Sequence, residues 1–65
     1  MACDMATYEC VFFRGGVVDY WENVEAETEG ALRTMLRSWV LREGWDSAEA
    51  WQNDVLIFRI GRTST

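Results

Sequence analysis

The chain has no histidine and no lysine, and it holds only two cysteines. Each shortage excludes a class of chemistry. General acid–base catalysis near neutral pH uses histidine, or a lysine or carboxylate with a tuned pKa. The first two are missing, and no carboxylate here sits in a sequence context that implies burial. A cysteine nucleophile wants a basic neighbour, normally histidine, and Ser38, Ser47 and Ser64 have no partners from which a triad could be built. A closed zinc site takes four nitrogen or sulfur ligands, whereas Cys3 and Cys10 supply two. No enzyme, metal centre or cofactor is expected. The two cysteines could pair, but they read more simply as free thiols of a reducing compartment, with Cys10 a small core residue in a strand.

Long apolar runs are also missing. None approaches the roughly 20 residues of a membrane span, and the opening MACDMATYEC has neither the basic nor the apolar region of a secretory signal. Both observations point to a cytoplasmic protein. Positive charge is scarce: six arginines face eleven acids, for a formal net charge of −5. Direct binding to a nucleic-acid backbone or to an anionic membrane needs a basic face, so neither is expected. A basic protein partner is compatible with this charge, and so is the plainer role of keeping a small aromatic-rich chain soluble.

What is present is apolar and aromatic. The 65 residues are 49% hydrophobic and include Trp21, Trp39, Trp45 and Trp51. A chain this short buries only about 60% of its unfolded surface, and these side chains offset that shortfall. One domain spanning 1–65 is expected, with loose tails at 1–6 and 62–65.

Its organising stretch is Thr28–Gly44. Leu32, Met35, Leu36, Trp39 and Val40 recur at spacings of three and four, the period of one helix face. Thr28 is the expected N-cap and Gly44 the expected left-handed terminator. Glu29 and Arg42 complement the two ends of the helix dipole, and Glu29 with Arg33 forms an i, i+4 pair.

Strands flank this helix. Thr7–Arg14 is breaker-free and rich in aromatic and β-branched residues. Gly15-Gly16 suits a type I′ hairpin turn, and Val17–Ala26 returns as the second strand. Val18, Tyr20, Val24 and Ala26 are expected on one side of it. Glu22 interrupts that set, so a bulge or strand end is expected near Glu22–Asn23. Asp46–Trp51 is ambiguous between a short helix and a strand, the strand being favoured. Asn53-Asp54 is a turn signal, and Val55–Ile60 alternates with one wholly apolar face, Leu56, Phe58 and Ile60. The order β-β-α-(β)-β gives the fold class α+β: a small two-layer domain, an antiparallel sheet of three to four strands with one main helix packed on one face. Val11, Phe13 and Trp21 are then candidates for the uncovered side of the sheet, and an apolar patch there marks an interaction or dimer surface. Trp39 and Trp51 are expected in the core, and one of Trp21 and Trp45 is expected to be partly exposed.

The strongest signal outside the fold is a run of acids. Asp19, Glu22, Glu25, Glu27 and Glu29 fall within eleven residues and include no compensating base. If extended, Glu25, Glu27 and Glu29 would project to one side at a rise of roughly 6.6 Å, a loose match to the spacing of phosphates along a nucleic acid. A rigid line of carboxylates can present a phosphate-like field to an arginine-rich groove. Equally, these acids can be a solvated face with no partner. Asp46, Glu49 and Asp54 could extend the acidic field if the fold places them nearby, and an exposed Trp21 or Trp45 beside it could anchor a protein partner.

In its size, its acidity and its acids set beside Tyr20-Trp21, the chain resembles the small acidic phage-encoded anti-CRISPR proteins. The resemblance lies in composition rather than in an alignable stretch. It implies a non-enzymatic inhibitor acting in the host cytoplasm, whose acids would dock on the DNA-binding or PAM-reading surface of a Cas protein, type I being the guess, in the manner of a DNA mimic. The partner-binding residues so expected are Asp19, Trp21, Glu22, Glu25, Glu27, Glu29, Trp45 and Asp46. The rival expectations are a small self-associating module whose acids serve only solubility, monomer against homodimer being open, and a minor enzyme or regulator whose ligand the sequence does not reveal.

Overall fold

A computed structural model describes residues 5–61. Five elements follow in order: β1 (Ala6–Arg14), β2 (Val17–Ala26), α1 (Glu29–Glu43), β3 (Ser47–Gln52) and β4 (Val55–Gly61). The strands form one antiparallel sheet in the order β2-β1-β3-β4, with α1 carrying the chain from the outer strand β2 across to β3 on the far side of β1. The small α+β domain expected from the sequence is therefore the one observed, and its ambiguous segment is a strand. β1 begins at Ala6, so the expected tail is shorter by that residue, while 1–4 and 62–65 lie outside the described residues.

Local chemistry sets the element boundaries. Gly15 and Gly16, at φ 64° and 84°, close the hairpin between the paired Arg14 and Val17. Two central residues at positive φ make the type I′ geometry, whose twist matches that of the flanking strands. Asn53 and Asp54 do the same between Gln52 and Val55, at φ 53° and 65°. Thr28 is extended, and its hydroxyl accepts from the Ala31 N–H at 3.0 Å. Gly44 ends the helix at φ 78°, its N–H bonded to the Val40 carbonyl. The Thr34 hydroxyl donates to the Gly30 carbonyl four residues back.

Packing follows from alternation along the strands. Tyr8, Cys10 and Phe12 of β1 face α1, as do Val24 and Ala26 of β2 and Phe58 and Ile60 of β4. β3 gives this side only Ala48 and Ala50, both fully buried. Phe12 and Cys10 flank them on one side and Ile60 and Phe58 on the other, so the bulk comes from the neighbouring strands. Leu32, Leu36 and Val40 close the layer from above, and Met35 and Trp39 lie half-buried at its margins. Arg33 covers the Phe58 ring, its guanidinium carbon 4.5 Å from the centroid.

Three expectations need correction, and bulges account for two of them. β2 does not end or bulge at Glu22–Asn23. Its extra residue is Asp19, which lies between the Phe12–Tyr20 and Phe13–Val18 pairs. The slip moves Val18 to the uncovered side with Phe13. Glu22 pairs with Cys10 and so points to the helix side, but it is exposed there because α1 does not reach it. A second bulge at Ile57 pairs Leu56 with Trp51, so Leu56 leaves the face that buries Phe58 and Ile60. The third correction is Trp51, which lies half-buried on the open face of the sheet, paired with Glu9 of β1, and not in the core.

Candidate binding surfaces

Two surfaces carry the side chains of interest. The first is the sheet face that no element covers. β1 brings Glu9, Val11 and Phe13 to it, and β2 brings Val18, Trp21, Asn23 and Glu25. β3 and β4 add Glu49, Trp51, Leu56 and Arg59. Trp21 pairs with Val11 and Phe13 with Val18, which sets a continuous aromatic and aliphatic stripe across the outer hairpin. Trp21 is 57% exposed and Val18 55%. The charges beside the stripe fall into two groups. Glu49 is engaged, accepting from the Trp51 indole at 3.0 Å and pairing with Arg59 at 3.6 Å. Glu9 and Glu25 are exposed and take part in no ion pair among the described residues. The uncovered face expected for Val11, Phe13 and Trp21 is the one they occupy.

The second surface is a cleft of about 550 Å³ on the helix side, between the C-terminal half of α1 and the bulged part of β2. The Asp19 bulge and the end of α1 leave Tyr20 only partly covered. Trp45 lies at the cleft floor, stacked on Phe12 at 4.3 Å between centroids and nearly parallel to Tyr20 at 5.8 Å. Trp39 comes from α1, 6.3 Å from Phe12. The Asp19 carboxylate accepts from the Trp45 indole at 2.8 Å and from Arg14 at 3.4 Å. The Trp45 hydrogen bond holds the Asp19 carboxyl below its usual range against desolvation, and the charge and hydrogen bond of Arg14 add smaller effects in the same lowering direction. Arg14 also donates to the carbonyls of Glu43 and Gly44, which ties the β1–β2 hairpin to the negative end of the helix. The Tyr20 hydroxyl donates to Glu22 at 2.5 Å. That bond and the charge of Glu22 push the Tyr20 phenol above its ordinary value.

The eight residues singled out from the sequence divide between these surfaces and elsewhere. Asp19, Glu22 and Trp45 come together at the cleft, although Trp45 is buried and cannot be an exposed anchor. Trp21 and Glu25 lie on the open sheet face. Glu27 follows the end of β2, and Glu29 opens α1, where it pairs with Arg33 at 3.7 Å. Asp46 accepts from the Gly15 N–H and so holds the hairpin turn against the end of α1. The straight row of Glu25, Glu27 and Glu29 is not formed, because the strand stops at Ala26 and the chain turns into the helix. Trp39, Arg42 and Glu43 of the cleft carry no such signal in the sequence, since only the crossover through α1 brings them beside β2, whereas Arg14 reaches it through the β1–β2 hairpin.

The Cys10 thiol is buried, and burial followed by the charge of Glu22 raises its pKa to about 11, so it stays protonated near neutrality. Among the described residues no group of three or more Cys, Asp or Glu side chains is placed to hold a metal ion. No described helix is long and apolar enough to cross a membrane. No protein-family model, curated protein or solved structure matches the chain.

Proposed function

We propose that this chain is a non-enzymatic binding protein that takes a basic protein partner on the open face of its sheet. The observation that carries the reading is the uncovered stripe of Trp21, Val11, Phe13 and Val18 with Glu9 and Glu25 beside it. A small monomer seldom leaves so continuous an apolar surface unpartnered. A central tryptophan supplies contact area, and carboxylates without internal partners steer a cationic surface towards it. The net charge of −5 acts in the same direction at longer range. Self-association through the same face is the less favoured form, because it would bring two acidic margins into one interface, and like charges there oppose docking.

Size and acidity suggest which partner to try first: the DNA-binding or PAM-reading surface of a Cas surveillance protein. In this version the chain excludes DNA by occupying a basic surface. A ruled line of carboxylates is no part of it, since Glu25, Glu27 and Glu29 lie on three different segments. The test measures DNA binding by a purified type I surveillance complex with the chain added at low and at high salt. Inhibition should weaken at high salt, as screening shortens the reach of exposed charges to about 8–10 Å at physiological ionic strength. It should also weaken with Trp21→Ala and with the paired reversal Glu9→Lys and Glu25→Lys. Inhibition untouched by that reversal would refute the electrostatic reading. A stable dimer in light scattering would move the assignment to self-association.

A further inference from the structure

The helix-side cleft lies on the other side of the sheet from the stripe, and its chemistry is different. Its sides are aromatic: Tyr20 from β2, 46% exposed, and Trp39 from α1, half-buried. Its charges are unevenly satisfied. Arg14 is committed to Asp19 and to two carbonyls at the helix end. Arg42 pairs with Glu43 at 3.5 Å. Glu22 forms no ion pair among the described residues, although Arg14 and Arg42 line the same cleft. Its Oε1 accepts from Tyr20, and its Oε2 accepts no hydrogen bond among the described residues. The cleft also borders the C-terminal end of α1, where the helix dipole is negative.

Those features select a ligand class. An anion would meet arginines already paired and a carboxylate that repels it. A neutral apolar group would fill the aromatic space but offer no donor to the Glu22 Oε2. A flat cation satisfies both requirements. It can stack on an aromatic face, where the ring quadrupole attracts positive charge, and it can direct N–H groups at a carboxylate oxygen. Guanidinium meets this better than ammonium, because it is planar, weakly hydrated and presents its donors in a fixed fork. We propose that the cleft between α1 and β2 binds a guanidinium group, as carried by an arginine side chain, with Tyr20 and Trp39 stacking and Glu22 accepting. The assignment stands on the cleft alone and does not rest on the open-face reading.

A titration of the intact chain with N-acetyl-arginine amide tests this, followed by the indole N–H signals of its four tryptophans in nitrogen–proton NMR. The Trp39 and Trp45 signals should move, while Trp21 and Trp51, on the opposite face, should not. The citrulline amide, which has the same shape without the charge, should bind at least about tenfold more weakly, as should Glu22→Gln titrated with the arginine amide. Trp21→Ala should leave the affinity unchanged. Comparing free arginine with the blocked amide separates a metabolite from the side chain of a peptide, and either one binding with citrulline failing supports the assignment. Equal binding of citrulline or of the lysine amide would overturn it. So would an unchanged affinity in a Glu22→Gln chain with a native spectrum, or the same shifts produced by inorganic phosphate.

Discussion

The two faces of the sheet are built from alternate residues of the same strands, and both are rich in apolar side chains. On the helix side Cys10, Phe12, Ala48 and Ala50 are completely or almost completely inaccessible. One residue along in each strand, Val11, Phe13 and Trp51 are only half-buried, and Trp21 and Leu56 are exposed. The open face also carries Glu9, Glu25, Glu49 and Arg59, but large apolar side chains stand on both. The difference is a second layer, supplied by Leu32, Leu36 and Val40. Burial stabilises through the apolar area it removes from water, so the covered face holds the fold. The uncovered face is left available for contact with something else. A side chain on one face can therefore be changed at large cost to folding, and its neighbour on the other face at little.

Leu36→Ala is the strongest test of that contrast. Leu36 is fully buried, and deleting a buried leucine side chain costs about 2–5 kcal/mol. In a 65-residue chain that is a large share of the total, and urea titration should find the variant largely unfolded. Thr28→Ala removes the hydroxyl that caps the Ala31 N–H and should cost about 1 kcal/mol by the same measurement.

A pH scan should locate a smaller contribution. The Asp19 carboxyl titrates below its unfolded value of 3.8. Its share of stability is therefore present above that value and is lost as pH falls through the lower folded one. Asp19→Asn keeps an oxygen for the Trp45 indole and removes the charge, so its melting temperature should fall less steeply with acid than that of the native chain. The smallest effect is expected from Trp21→Ala, less than about 0.5 kcal/mol in urea, because an exposed side chain away from the core has little to lose. A loss as large as that of Leu36→Ala would mean that the open face also holds the fold together.

The legible parts of this molecule were those fixed by local chemistry. The stripe of α1, its Thr28 cap, its Gly44 stop and the Gly15-Gly16 turn each depend on neighbours in the chain, and each is where the sequence puts it. The bulges were not legible. Asp19 and Ile57 fit the alternation around them, and only pairing with another strand reveals that each is an extra residue. Their consequences are large, since one slip sends Val18 and the other Leu56 to the opposite face. The acid run misled for a related reason. Spacing by two describes one side of a strand only while the chain remains a strand, and the Thr28 cap starts the helix too soon after Glu25. The aromatic cleft was beyond reach of the sequence, because Arg14 and Glu43 lie 29 residues apart and meet only through the helix crossover.

The central claim is that partner binding resides on the open face while folding resides under the helix. The most direct test immobilises the native chain, the Trp21→Ala variant and the Glu9→Lys, Glu25→Lys variant, all with matched urea midpoints, and compares what each retains from a bacterial lysate at low salt and releases at high salt. The account predicts a protein held by the native chain, released by salt and lost from both variants. The same protein held equally by all three would contradict it.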